Sequence, residues 1–181
     1  MNPQKGMLYK SKDGTPVLLR YPSKKDSIQL MNLRNELVEE DAPIGANEKV
    51  NKKQEDEYIK SSIKAIKENK GVHFVAEIDK KIAGNIKIVR LHGKSKHVGE
   101  LGIFVKREYR DKGIGGLMMR QALKYARKEG MKIVKLSSFA NNDRAIHLYK
   151  KLGFKKAGLL KNTLKDKGRY FDEIIMEREL T

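Results

Sequence analysis

Arg110-Asp111-Lys112-Gly113-Ile114-Gly115-Gly116 is the stretch on which the reading of this chain turns. Behind it, from Gly113 to Glu129, the apolar residues Ile114, Leu117, Met118, Ala122, Tyr125 and Ala126 keep a helical period of about 3.6 residues, and Gly130 stops the run. Glycine nevertheless stands at 113, 115 and 116, in the first turn of that helix, where each costs roughly 1 kcal/mol relative to alanine. A strand that feeds into such a glycine-rich helix start leaves backbone N–H groups unpaired and unshielded, with the positive end of the helix dipole behind them. That arrangement suits a phosphate or pyrophosphate. Arg110 and Lys112 add charge beside it. The stretch is neither a Walker loop, since no Gly-Lys-Ser/Thr follows, nor spaced as a dinucleotide fingerprint.

Upstream, Val72 to Ile78, Ile82 to Leu91 and Val98 to Val105 read as successive strands joined by Asp79-Lys80-Lys81 and a turn around Gly93, most economically as antiparallel hairpins. Before them, Thr15 to Tyr21 reads as a first strand. Ser23 or Asp26 can cap the helix that follows, which carries an apolar stripe of Ile28, Met31, Leu37 and Val38. Ala42 to Asn47 is a loop, and Glu48 to Asn69 is a polar helix with Tyr58, Ile59, Ile63 and Ile66 on its apolar side. Downstream come a strand from Met131 to Ser138 and a helix from Asn142 to Leu152, with Ala145, Leu148, Tyr149 and Leu152 on one face. Two last strands, about Phe154 to Leu160 and Tyr170 to Arg178, are joined through Asp166-Lys167-Gly168. The expected architecture is α/β.

At 181 residues the chain fits one domain, taken here as residues 15–181, with residues 1–14 as a flexible extension. The absence of cysteine excludes disulfides, thiolate metal sites and cysteine nucleophiles, and His73, His92, His97 and His147 lack metal-ligand spacing, so no metal is expected. These histidines read as surface or strand residues. The net charge of +17 raises a nucleic-acid reading, but acidic residues are interleaved, as in Lys106-Arg107-Glu108-Tyr109-Arg110-Asp111-Lys112, and no nucleic-acid motif is present. With neither a long apolar run nor a signal-like start, the expectation is a cytoplasmic protein without membrane contact.

Read as Arg-x-x-Gly-x-Gly, the loop resembles the acetyl-CoA pyrophosphate loop of the GNAT superfamily of N-acetyltransferases. After one further strand, Asn142-x-x-Ala145-x-x-Leu148-Tyr149-x-x-x-Gly153-Phe154 resembles the second cofactor segment of the same family. The resemblance runs from about Val17 to Leu180 and is most specific between Glu100 and Phe154. It implies a mixed, mostly antiparallel central sheet, splayed at the cofactor site and flanked by helices. It also implies acetyl-CoA as cosubstrate, an amine as acceptor, and is compatible with a homodimer. The cofactor residues it implies are backbone groups of Ile103, Phe104 and Val105, the loop Arg110, Asp111, Lys112, Gly113, Ile114, Gly115 and Gly116, and Asn142, which also reads as a helix N-cap.

A lysine-like amine is protonated at neutral pH, so acetyl transfer needs a base. Strand alternation puts Leu101, Ile103 and Val105 on one face and Glu100, Gly102 and Phe104 on the other; Glu100 is the candidate base, with room for a ligand over Gly102. Tyr149, at the family's tyrosine position, is the candidate acid for the departing thiolate. Glu39, Glu40, Asp41 and the loop to Asn47 fall where the family borders its acceptor, and their acidity would suit a cationic amine. Gly168-Arg169-Tyr170-Phe171-Asp172-Glu173-Ile174-Ile175-Met176 resembles the amino-acid and phosphinothricin acetyltransferase branch. The activity implied is acetylation of a small molecule or amino acid. Acetylation of a protein N-terminus or lysine, a non-catalytic acyl-CoA sensor and a basic nucleic-acid module are the alternatives.

Overall fold

The computed structural model describes residues 6–40, 42–44 and 48–180. Eight strands form one sheet in the order β1-β2-β3-β4-β5-β6-β8-β7. They are β1 Met7–Lys10, β2 Pro16–Arg20, β3 Gly71–Ile78, β4 Lys81–Arg90, β5 Val98–Val105, β6 Ile133–Phe139, β7 Lys155–Asp166 and β8 Arg169–Glu179. All neighbours are antiparallel except β5 and β6, whose parallel ladder joins only Val98–Glu100 to Ile133–Lys135. Beyond Glu100 the two strands no longer pair, so the sheet opens into a gap. The expected mixed, splayed sheet is what the chain forms.

Four helices cover the sheet: α1 Ser27–Glu39, α2 Lys52–Lys67, α3 Ile114–Lys128 and α4 Asp143–Lys151. One core lies under α3 and α4, where Met118, Met119, Ala122 and Ala126 meet Phe74, Ile86, Ile88 and Leu136. The other lies under α1 and α2, where Leu30, Leu33, Leu37 and Ile59 meet Val75, Ile82 and Phe104. Ile103 and Val105 pack on the first core and Phe104 on the second, so the alternation expected along β5 holds. No helix among the described residues is long and apolar enough to cross a membrane.

Three expectations are corrected. From Met7 the supposed extension is the edge strand of the sheet, pairing Met7 with Leu19 and Lys10 with Pro16, so the folded unit starts before residue 15. Only Met7 of β1 is buried, worth about 1.5–3 kcal/mol, while Leu8 is 73% exposed; so short an edge strand has no pattern to read. Residues 1–5 lie outside the described residues. In α1 the buried stripe is Leu30, Leu33 and Leu37, leaving Ile28 54% exposed, because Asp26 and Ser27 are buried and set the helix phase. The polar helix begins at Lys52 rather than Glu48, because Asn51 caps it: its side chain accepts from Gln54 N–H at 3.0 Å, and the Gln54 side chain accepts from Asn51 N–H at 2.8 Å.

Candidate active site

The gap between β5 and β6 has an unusual edge. Lys106 N–H donates to Ala83 O at 2.9 Å, and Lys132 N–H donates to His97 O at 2.7 Å. Antiparallel alternation therefore turns the backbone groups of even-numbered β5 residues to β4 and those of Leu101, Ile103 and Val105 to the gap. Of the three residues expected to line a cofactor arm with their backbones, Ile103 and Val105 turn their backbone groups to the gap, although the Val105 carbonyl accepts from Arg110. Phe104 pairs with Asn85 in the β4 ladder.

The glycine loop sits at the mouth of this gap. Gly113, at φ +79°, is the N-cap of α3, and the first helical bond runs from Leu117 N–H to Gly113 O at 3.0 Å. The N–H groups of Gly113, Ile114, Gly115 and Gly116 thus have no partner within the helix. A Cβ on Gly115 would lie 3.4 Å from Leu148, 3.6 Å from Val105 and 3.9 Å from Ile103, that is, in the space where helix start, α4 and gap edge converge. The bare amides at this helix start fit a diphosphate.

Arg110 turns away from this task. Its Nε donates to Val105 O at 3.0 Å and its Nη2 pairs with Glu40 at the end of α1. The guanidinium ties the loop to β5 and α1 rather than standing free for phosphate. Asp111 pairs with Arg144 of α4 at 3.1 Å, and Lys112 lies 3.9 Å from Asp13.

Glu100 occupies the last rung before the gap, opposite Lys135, whose ammonium is 3.8 Å away. Its side chain is 55% exposed, so this pair is weak and leaves the carboxylate accessible. Tyr149 lies on the other face of the sheet, 7% exposed in the core beneath α4, its ring 6.1 Å from Phe154. Burial pushes its hydroxyl up to about 12, so it remains protonated at any physiological pH. Candidate base and candidate acid therefore lie on opposite faces of the sheet. Asn142 caps α4 by accepting from Ala145 N–H at 3.2 Å, and its Nδ2 reaches Pro43 O, in the loop after α1, at 3.5 Å.

A polar row missed by sequence reasoning crosses the α1/α2 face of the sheet. His73, Lys87 and Gly102 are in register on β3, β4 and β5, so their side chains share a face. A Cβ on Gly102 would meet nothing within 4 Å, which leaves open space beside Lys87. The Lys87 ammonium lies 4.4 Å over the Tyr58 ring of α2, and burial lowers its pKa, with Glu55 opposing. Glu55 is 3% exposed, and burial raises its pKa. His73, on a strand as expected, is 1% exposed and bonds Asn85; burial pushes it down to about 4, so it is neutral. The signal was present in β4, where Asn85 and Lys87 interrupt the apolar middle of the strand.

The acidic segment differs from expectation as well. Glu40 is engaged by Arg110, whereas the pair of Glu39 with Lys49, at 2.5 Å, is an exposed one that leaves the Glu39 carboxylate accessible. Asp41 and residues 45–47 lie outside the described residues. A cleft of about 450 Å³ between α1 and the turn after β5, lined by Leu33, Glu36, Lys106 and Glu108 among others, contains none of the gap residues.

Residues 31–154 match the model of the acetyltransferase (GNAT) family, and the chain belongs to that family. It is similar to the L-amino acid N-acetyltransferase AaaT of Escherichia coli K12, 30% identical over 107 residues that cover 58% of this chain and 65% of that one. The chain thus spans just under two thirds of that relative. It is also 33% identical over 117 residues to an N-alpha-acetyltransferase of Sulfurisphaera tokodaii, covering 58% of this chain and 68% of that one. An acetyltransferase of Salmonella typhimurium solved with its cofactor acetyl-CoA shares the fold at a TM-score of 0.82 and 18% identity, over 91% of this chain and 94% of that one.

Proposed function

We propose that the chain transfers an acetyl group from acetyl-CoA to the primary amine of a small acceptor of the amino-acid type, by direct attack in a ternary complex. When bound, acetyl-CoA supplies an activated thioester and a thiolate leaving group. The α3 amides hold its pyrophosphate, and the backbone groups of Ile103 and Val105 hold its pantetheine arm along the gap. The N–H groups on that edge receive the negative charge that develops on the carbonyl oxygen. Glu100 accepts the amine proton, directly or through one water, and the Tyr149 hydroxyl donates to the departing sulfur from the opposite face.

The observation that carries the acceptor class is the open space over Gly102, with Glu100 two residues along the same face and the Lys87 ammonium one strand away. A carboxylate beside the amine would meet Lys87, whereas a polyamine would meet a cation. The name of the Escherichia coli relative supports the same class. A free peptide N-terminus is the second reading, favoured by the name of the Sulfurisphaera relative.

The test is CoA release against L-amino acids, polyamines and short peptides. Amino acids should give the highest kcat/KM, and polyamines leading the panel would overturn the acceptor class. In the same assay Tyr149→Phe should lower turnover by roughly 10²-fold with acetyl-CoA affinity retained, and Glu100→Gln should lower it most at acid pH, where free amine is scarce. Wild-type rates in both folded variants would remove them from the reaction.

A further inference from the structure

The tip of the β1–β2 hairpin is docked on the glycine loop. Lys12 N–H donates to Lys112 O at 2.9 Å, and Asp13 lies 3.9 Å from the Lys112 ammonium. The tip is itself shaped by its side chains: Asp13 accepts from the Ser11 hydroxyl and from Thr15 N–H at 3.2 Å, while Ser11 N–H donates to Thr15 O at 3.0 Å. This fixes where the Lys12 side chain goes. Its Cγ, Cδ and Cε lie 2.8, 3.2 and 3.4 Å from the position a Cβ would take on Gly113, so the methylenes lie over the glycine at the head of α3. Gly113 is thus required twice, by its left-handed φ of +79° and by the lysine laid across it.

Charge around the loop makes the placement telling. A diphosphate is doubly negative, yet three cations around the loop are engaged: Arg110 by Glu40 and Val105 O, Arg144 by Asp111 and, more loosely, Lys112 by Asp13. Arg120 lies one turn into the helix, its Nη1 3.3 Å from the Cβ position of Gly116. Lys12 makes no ion pair among the described residues, is exposed, and is held by a backbone bond at the end of the helix where the amides are bare.

We propose that Lys12 is a binding residue for the cofactor's diphosphate, supplied by the N-terminal hairpin to a loop whose own arginine is structural. The proposal rests on the pyrophosphate placement given above. Its ammonium would add a charge-assisted contact to the neutral amides of Gly113 to Gly116, and the Lys12–Lys112 backbone bond would hold the hairpin as one wall of the site.

Calorimetric titration of the full chain tests it, with acetyl-CoA and with acetyl-dephospho-CoA, which keeps the diphosphate and lacks the 3′-phosphate. Lys12→Gln should weaken both ligands by about fivefold to tenfold, less so as salt is raised, with an unchanged melting temperature, and Lys12→Arg should restore most of the affinity. Unchanged affinity in Lys12→Gln overturns the proposal. So does a loss confined to acetyl-CoA, which would assign the ammonium to the 3′-phosphate, or a loss that accompanies a lowered melting temperature and is not restored by arginine. Gly115→Val separates the two levels: if it folds and binds acetyl-CoA normally, the loop placement itself fails, whereas weakened binding there with a normal Lys12→Gln condemns only the hairpin.

Discussion

Two clusters of charge are shielded between the sheet and the helices α1 and α2, and they differ in one respect. In the first, Arg20 holds Asp26 through two bonds of 2.8 Å and Glu77 through bonds of 2.9 and 2.7 Å, while Asp26 also accepts from Ser23 N–H at 2.6 Å. Every charge faces an opposite one, and the cluster fastens β2, the start of α1 and β3 together. In the second, Glu55, Arg34 and Lys87 make no salt bridge with one another among the described residues. Arg34 Nε and His73 Nδ1 are buried without a hydrogen-bond partner. Leaving buried polar atoms unmatched costs about 1–3 kcal/mol each. The first network is complete and the second is not, and the second lies in register with the open space at Gly102.

The largest effect that this difference forecasts is on stability. Arg20→Ala strands two carboxylates, one of them nearly buried, and should cost about 2–3 kcal/mol in urea denaturation, less than for a fully buried pair because Arg20 is 20% exposed. Lys87→Met should cost about 1 kcal/mol or less, since it gives up only the contact with the Tyr58 ring and replaces a cation that has no carboxylate partner among the described residues with an apolar side chain of similar length. Equal losses would break the distinction between the clusters.

The next effect is on the acceptor. Lys87→Met should raise the KM for an amino acid by about tenfold while acetyl-CoA affinity, measured by titration, is unchanged. Unchanged KM would return Lys87 to a packing role over Tyr58. Arg20→Ala, assayed below its melting temperature, should leave KM alone, because its cluster does not face the gap.

What was legible in the sequence follows the same physical divide. Gly113, Gly115 and Gly116 could be read because glycine in a helix start carries a local cost that demands a local reason. The face of β5 could be read because alternation is a local rule, and Glu100, Gly102 and Phe104 fall where it put them. Arg110 could not, because what decides its role is Glu40, distant by 70 residues in the chain. The row His73, Lys87 and Gly102 was invisible for the same reason: each belongs to a different strand, and apolar periodicity passes over polar residues on the buried face. The strand β1 that leads to Lys12 offered only four residues and one buried side chain.

The smallest and most specific effect is in pH. Asp26 is pushed up by burial, but hydrogen bonds from Arg20 and Ser23 more than offset this and its pKa is lowered; Glu55 is raised by burial, only partly relieved by Arg34 and Lys87. The signs are opposite. Stability from Asp26 is present above its unfolded value near 3.9 and is lost as pH falls through the folded value; stability associated with Glu55 is full below its unfolded value of about 4.3 and is lost as pH rises through the folded one. Glu55→Gln removes the second dependence and keeps the first. Relative to wild type, the variant should therefore gain stability as pH rises from 4 to 8, with no change in the acid limb set by Asp26. Urea midpoints at several pH values measure this directly. A variant that parallels wild type across the range would mean that Glu55 is paired after all when the protein folds in water, and that the second cluster is as complete as the first.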